Sequence, residues 1–333
     1  MSDFRLRLES FLSARSQPLS IEQLTPDAST REYFRVRWND QSAIACVYPE
    51  SFSAEEQSYL DVTNLFLTSD LPVAAVYDFD EKLAVIILED FGDTILRDVL
   101  LKSNAEQSDV LLNEAVGLIA RIQVATPKAF ELDSIASRLK FDGEKLLWEL
   151  NFFKTHYFNT FRRTTLSESD DAALTGEFVE LSRELETRAA VLCHRDFHAA
   201  NLMLDAQNRL RIIDHQDARI GSATYDLVSL LLDRVTNPPD KDWLADRKRF
   251  FLNERERLNL KPIEFADFDE EFQLQTVQRC LKAVGTFSFQ SVFRGKTYFV
   301  PFIEPALRTV LQSCRQLERF PNLREIIERQ LIP

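Results

Sequence analysis

The sequence predicts an α+β chain in which a small β-rich amino-terminal part precedes a large, mainly helical remainder. Three observations carry that expectation. The first ninety residues hold short β-branched and aromatic runs separated by polar turns, with amphipathic helical runs opening and interrupting them. From Asp93 onward apolar residues recur at helical spacing through segment after segment. The 333 residues, 45% apolar and 28% charged, are enough for two lobes with real cores, and 26 Phe help to fill them.

In chain order, the opening DFRLRLESFLSA reads as an amphipathic helix. Glu32 to Trp38 and Ala43 to Tyr48 flank a polar Asn-Asp-Gln-Ser turn and read as a β-hairpin. Ser53 to Ser69 places Tyr59, Leu60, Thr63 and Leu67 at helical spacing behind a serine N-cap. Two further strands are expected at Val73 to Phe79 and Leu83 to Leu88, joined by a charged turn. A link near Glu89 to Gly92 then divides the chain into lobes 1–90 and 91–333. Helices are expected at about 94–101, 106–123, 142–160, 168–188, 223–235, 241–257, 269–290 and, broken, 301–330. One hairpin interrupts them, Asn201 to Leu204 and Arg209 to Ile213. There is no internal repeat and no low-complexity segment.

Composition excludes several functions. The seven glycines are never closer than ten positions, so neither G-x-G-x-x-G nor G-x-x-x-x-G-K can be written. A net charge of −13 without a basic run argues against nucleic acid as a partner. No signal peptide and no membrane span is expected, since no apolar run approaches eighteen residues. Cys46, Cys193, Cys280 and Cys314 show no C-x-x-C spacing and read as buried free thiols in a reducing compartment, the cytoplasm. The chain is expected to be monomeric.

The segment that carries chemistry runs from Val191 to Asn201, with Asp214 beyond it. His194-Arg195-Asp196 and Asn201 fit the H-R-D-x-x-x-x-N loop of phosphoryl-transfer enzymes, spacing included. Such chemistry needs a carboxylate to orient and deprotonate a hydroxyl, a task suited to Asp196. It also needs hard oxygen ligands for Mg²⁺, for which Asn201 and Asp214 are suited. A tight hairpin centred between Gln207 and Asn208 would set Asn201 opposite Asp214. Alone, an Asn and an Asp bracketing a hairpin serve equally well as caps; the H-R-D at the matching offset favours the ligand reading.

The run from Cys193 to Leu204, with Ile212 to Leu231, resembles the aminoglycoside phosphotransferase and choline kinase family of small-molecule kinases, which have a two-lobed protein-kinase-like fold. Within it the chain is similar to the anomeric N-acetylmuramate and N-acetylglucosamine kinases of cell-wall recycling. Asp27 to Arg35, Leu88 to Gly92, and Gln278 to Gly285 with Arg294 to Lys296 carry that narrower likeness. The resemblance implies ATP and Mg²⁺ as cofactors and a small-molecule hydroxyl as acceptor. It implies Asp196 as catalytic base and Asn201 and Asp214 as metal ligands. Ser29, Thr30 and Arg31 would lie over the phosphates, and Leu88, Glu89, Asp90 and Phe91 would form the hinge that meets adenine. Asp226 would anchor the loop through its backbone, with His194 and Arg195 as structural support.

One departure stands out. The strand Ala43 to Tyr48 offers Cys46 or Val47 where kinases carry a phosphate-pairing lysine, so Glu55 or Glu56 has no evident partner and Arg31 or Arg35 is expected to supply the charge. The aromatic run Trp148 to Phe158 reads as core, while Glu149, Asn151 and His156 are candidates to face the acceptor. His198 either packs within the loop or touches substrate, and His215 either packs or supports the metal carboxylate. Competing acceptors are an aminoglycoside, choline or another hydroxyl metabolite. A nucleotide-binding module without turnover is the alternative from a different class.

Overall fold

The structure, a computed structural model, describes residues 3–24, 30–232, 234–236 and 238–331. The chain forms two compact units, Met1–Ser103 with Ala199–Asp217, and Asn104–His198 with Ala218–Pro333. A division after residue 90 was expected from composition; packing instead keeps residues 91–103 and the later hairpin with the sheet.

The first stretch comprises α1 (Asp3–Ala14), β1 (Ile21–Leu24), β2 (Glu32–Trp38), β3 (Gln41–Val47), α2 (Ser58–Thr68), β4 (Val76–Asp80), β5 (Val85–Glu89) and α3 (Leu96–Leu100). There follow α4 (Ala105–Val124), α5 (Thr126–Glu131), α6 (Ile135–Arg138), α7 (Gly143–Phe153), α8 (Glu168–Arg188) and β6 (Val191–Cys193). The hairpin of β7 (Leu202–Leu204) and β8 (Leu210–Ile212) belongs to the first unit. The chain then runs through β9 (Arg219–Gly221), α9 (Tyr225–Leu232), α10 (Lys241–Arg257), α11 (Phe265–Phe293), α12 (Ile303–Leu317) and α13 (Pro321–Leu331). The expected helices are present in order, although 142–160 is α7 continued by a nine-residue π-helix, Lys154–Arg162.

In the first unit five antiparallel strands lie in the order β1-β2-β3-β5-β4. Side chains alternate across a sheet. Phe34, Val36, Trp38, Ala43, Ala45, Val47, Val85 and Ile87 therefore share one face, which α1 covers with Leu8, Phe11 and Leu12. The opposite face carries Tyr33, Ile44, Cys46, Ile86 and Leu88, packed with Tyr59 of α2 and with Met203 and Ile213 of the hairpin segment. The β2–β3 turn needs only Asn39 and Asp40, with φ of 47° and 63°. Asn and Asp tolerate this left-handed pair, so the strand begins at Gln41. Ser53 does not cap α2; the helix starts five residues later behind Gln57, whose side chain accepts from the Tyr59 N–H. Glu55 and Glu56 thus precede the helix and are exposed.

The hairpin corrects a register. Leu202 pairs with Ile212, Met203 with Arg211 and Leu204 with Leu210, so it is centred on Gln207 and not between Gln207 and Asn208. The cause is Asp205. Its carboxylate accepts from the N–H groups of Gln207 and Arg209, while Asn208 takes up φ 58°, which makes a turn of odd length.

The second unit is built around α11. Phe272, Val277, Cys280, Leu281, Val284 and Phe287 are all but fully buried along it. At Gly285 the backbone of α7 comes so close that a Cβ would lie 2.7 Å from the Phe153 Cα. The short ladder of β6 and β9 holds the two ends of the segment that begins at His194, and it pairs Val191 with Gly221 and Cys193 with Arg219. All four cysteines are buried and none is in a disulfide. Burial pushes the Cys46 thiol up to about 11 and that of Cys314 up to about 12.

Candidate active site

In the second unit, His194, Arg195 and Asp196 leave β6 in a tight loop. Arg195 has φ 85°, a conformation that costs a non-glycine residue of the order of 1–3 kcal/mol. Asp226, at the start of α9 and 1% exposed, holds it there: its carboxylate accepts from the N–H groups of His194 at 2.7 Å and Arg195 at 3.0 Å. His194 is fully buried with its ring edge-on to Phe197. The loop thereby presents the Asp196 side chain, 27% exposed, to two cations of α11. Arg279 Nη2 and Lys282 Nζ each lie 3.1 Å from Asp196 Oδ1.

Burial alone would raise the pKa of Asp196, but Lys282, Arg279, Arg195 and His198 outweigh it and hold the carboxyl well below the usual range. Lys282 is shifted down, first by burial and then by Arg279. Arg279, 1% exposed, also donates to Ser229 Oγ at 2.9 Å and lies over the Tyr225 ring. Neither cation had been singled out from the sequence as a site residue. Their signal was present: two cations three residues apart in a helix with so many core positions need a counter-charge.

In the first unit, Asn201 and Asp214 do meet, although not as direct partners in the ladder. The Ile213 N–H bonds to the Asn201 carbonyl, and Asp214 then leaves the strand with φ 63°, which brings its Oδ2 to 3.4 Å from Asn201 Nδ2. A one-residue slip of register turns a side chain to the other face; here the left-handed residue turns it back. Asp214 Oδ1 accepts from Gln216 at 2.9 Å and lies 3.7 Å from Arg31 Nη2. The side-chain oxygens of half-buried Asn201 and exposed Asp214 suit Mg²⁺, which keeps several waters and takes phosphate oxygens for its remaining positions. Among the described residues no three His, Cys, Asp or Glu side chains converge as a resident transition-metal site would require.

Arg31 and Arg35 separate clearly. Arg35 is bound to Asp90 at 2.8 Å and Asp93 at 2.7 Å. Arg31 lies on the face of Cys46, against the rings of Tyr33 and Tyr48, with Tyr33 directly opposite Cys46 in the sheet. Its guanidinium therefore reaches the region where a lysine at Cys46 would have extended. Of the neighbouring expected phosphate-loop residues, Thr30 is exposed and Ser29 lies outside the described residues.

At the hinge, Leu88 pairs with Ile44 and Val76. The Glu89 carboxylate accepts from Arg211 at 2.9 Å and from the Ala75 N–H. Asp90 accepts from Arg35, Ser42 and the Gly92 N–H, and Phe91 is buried beneath the Arg211 guanidinium. The acidic side chains thus fix the hinge, and the Glu89 N–H is itself bonded to the Ala75 carbonyl.

The remaining expected residues fall into two groups. His215 packs: it is fully buried between Tyr59 and Phe66 and bonded to Thr63 at 2.7 Å. His198 is buried within its loop, where its N–H bonds to the Asp196 carbonyl. Glu149 is 1% exposed and its Oε2 accepts from Gln278 at 2.8 Å. Asn151 is half-buried and, two positions along α7, is turned about 200° from Glu149, so it does not share that face. His156 packs against Phe152, Phe289 and Phe293. Most of the aromatic run is core, but Trp148 is 56% exposed.

Residues 20–260 match the model of the phosphotransferase enzyme family. The chain belongs to this family. It is similar to the N-acetylmuramate/N-acetylglucosamine kinase of Neisseria meningitidis serogroup B, 29% identical over 87% of this chain and 84% of that protein. The protein of the same name in Pseudomonas aeruginosa is 27% identical over 93% and 88%. Among solved structures, a putative aminoglycoside phosphotransferase from Ralstonia eutropha superposes with a TM-score of 0.63 at 14% identity, covering 97% of this chain and 98% of that one. A choline kinase from Streptococcus pneumoniae does so with 0.59 at 14% identity, covering 93% and 100%. The protein is therefore a phosphotransferase of protein-kinase-like fold. Relative to the kinase pattern, this phosphotransferase lacks both the strand lysine and its helix glutamate.

Proposed function

We propose that this phosphotransferase transfers the γ-phosphoryl group of ATP, with Mg²⁺, to the anomeric hydroxyl of an N-acetylated amino sugar. The observation that carries the transfer chemistry is Asp196, held anionic by Arg279 and Lys282 on a loop that Asp226 pins. The acceptor reading is supported by relatives matched over most of their length that carry an amino-sugar kinase name. It is supported further by charge: the cations around Asp196 disfavour a cationic aminoglycoside or choline, which would call for carboxylates or an aromatic cage.

In this mechanism the acceptor hydroxyl donates a hydrogen bond to Asp196. As the acceptor oxygen bonds to the γ-phosphorus and the bond to ADP breaks, the hydroxyl proton passes to the carboxylate. A carboxylate of such low basicity acts chiefly by orientation, which suffices for a loose transition state. Asn201 and Asp214 would hold Mg²⁺, which when bound neutralises charge on the phosphoryl oxygens. Arg31 replaces the missing lysine as the cation facing the phosphates, together with the amides and hydroxyls of Ser29 and Thr30. The backbone of Leu88 to Phe91 meets adenine. Four buried thiols outside any disulfide fit a cytoplasmic enzyme.

The test is a coupled ADP-release assay with MgATP over N-acetylmuramate, N-acetylglucosamine, kanamycin and choline. Turnover of an amino sugar, abolished by EDTA, supports the reading. Turnover of kanamycin or choline alone contradicts the acceptor, and ATP binding without any turnover contradicts the enzyme.

A further inference from the structure

In the first unit Arg31 is enclosed by two tyrosines to which the mechanism above assigns no part. Cys46 stands at the strand position of the missing lysine. Tyr33 lies directly opposite it on β2, and Tyr48 follows it by two residues just beyond β3. Alternation therefore turns all three side chains to the same face of the sheet, where they pack in one cluster. The Arg31 guanidinium lies 5.8 Å from the centroid of the Tyr33 ring and 5.5 Å from that of Tyr48, within cation–π range of both. Its Nη1 donates to the Tyr48 hydroxyl at 3.5 Å, and its Nη2 lies 3.7 Å from Asp214 Oδ1.

This enclosure answers a mechanical need. A lysine at position 46 would take its direction from a central strand, whereas Arg31 stands in a bend one residue before β2. A long cationic side chain carries about 2 kcal/mol of rotamer entropy, and groups borne by loops are placed less accurately than groups borne by strands. The tyrosines are themselves well anchored. Tyr33 is paired on both sides, with Leu24 and with Cys46. The Tyr48 N–H bonds to the Ala84 carbonyl at 2.8 Å, and the Tyr48 carbonyl accepts from Arg7 Nη2 at 2.8 Å. Its ring meets Phe52 edge-on at 5.4 Å. Burial raises the pKa of both phenols, so they stay neutral and offer Arg31 ring faces and a hydroxyl oxygen.

We propose that Tyr48, together with Tyr33, is a positioning residue for the nucleotide: it clamps the Arg31 guanidinium where a strand lysine would carry its ammonium. Affinity for the phosphates then depends on a tyrosine that acts only through the arginine. The proposal rests on the reading of Arg31 as the cation that faces the phosphates.

The test measures binding and not turnover. Calorimetric titrations with a non-hydrolysable ATP analogue and Mg²⁺, and separately with adenosine, are run on the wild type, Y48L, Y48F, R31A and the two double variants, with thermal melts to verify folding. In Y48L the Kd for the analogue should rise about three- to tenfold, as expected for loss of a cation–π contact, while that for adenosine stays within about twofold. On the R31A background the same substitution should add less than about 1.5-fold, because a residue that acts through Arg31 has nothing left to act on. If Y48L does not fold, Y48F decides: it keeps the ring and should lose about two- to threefold, again only while Arg31 is present. An unchanged Kd for the analogue in the folded Tyr48 variant overturns the proposal. So does an equal loss with and without Arg31, or a loss shared by adenosine, since either makes Tyr48 a packing residue or a direct contact of the nucleotide. If R31A by itself leaves the affinity for the analogue unchanged, the reading of Arg31 has failed first, and the clamp falls with it.

Discussion

The substitution Asp226→Ala tests how the reactive loop is held. Asp226 is almost wholly buried and accepts two backbone N–H groups, those of His194 at 2.7 Å and Arg195 at 3.0 Å. Removing it orphans two donors at about 1–3 kcal/mol each, partly offset because a carboxylate is no longer buried. Its cost of burial is visible in its pKa, raised above the usual value by desolvation. A net loss near 3 kcal/mol follows, roughly 6–12 °C in melting temperature for a unit of this size. Arg195 would also relax from φ 85°, and a displacement of Asp196 by about an ångström costs of the order of a hundredfold in kcat. Asp226→Asn, which keeps one acceptor oxygen, should lose about half as much stability. Calorimetry and steady-state kinetics on both variants would check this. Melting within about 2 °C of wild type, together with an unchanged kcat for Asp226→Ala, would refute the reasoning.

Three further outcomes are expected. Arg31→Ala should raise KM for ATP and lower kcat, together by roughly tenfold or more, whereas Arg35→Ala should act on stability, by about 1–2 kcal/mol, through the loss of its bonds to Asp90; equal kinetic losses in both variants would contradict the assignment of Arg31. Lys282→Met removes a cation 3.1 Å from Asp196 Oδ1, so the carboxyl pKa must rise and the acid limb of the kcat/KM profile must move to higher pH; a limb that stays in place or moves to lower pH would contradict the pairing. The stability that a depressed Asp196 contributes is present above its unfolded pKa and is lost as pH falls toward its folded one, so this variant should also lose less stability on acidification. Gly285→Ala drives a Cβ against the Phe153 backbone and should destabilise the second unit by roughly 1–3 kcal/mol in denaturant titration.

Much of this protein could be read in its sequence because its patterns are local. Alternation in Glu32 to Trp38 and helical spacing in 168–188 are decided by which face is buried, and both elements stand where expected. The strand Ile21–Leu24 was not anticipated, since it is four residues at a sheet edge and none is fully buried. The hairpin register slipped by one because an aspartate side chain, not a backbone pattern, sets the turn. Asp196, Asn201 and Asp214 were legible through spacing. The cations beside Asp196 were not linked to it, because Arg279 and Lys282 lie 83 and 86 residues downstream and nothing local in the sequence connects that pair with the loop. The absent strand lysine left Arg31 and Arg35 equivalent in sequence; only the ion pairs to Asp90 and Asp93 separate them.

The scarcity of glycine also acquires a physical meaning. With no glycine between residues 1 and 91, a phosphate loop here must rely on hydroxyls and a guanidinium beside its amides. That places Arg31, on the Asp214 side of the sheet, at the centre of the proposed grip on the nucleotide.

The central claim is that Asp196 orients an amino-sugar hydroxyl for phosphoryl transfer. The most direct measurement is a phosphorus NMR time course of the wild type and Asp196→Asn with MgATP and N-acetylmuramate. The account predicts a sugar 1-phosphate signal growing with ADP in the wild type, and a rate lower by about 10²–10⁴ in the variant at near-normal nucleotide affinity. Phosphate on another hydroxyl, or a variant as fast as wild type, would contradict it.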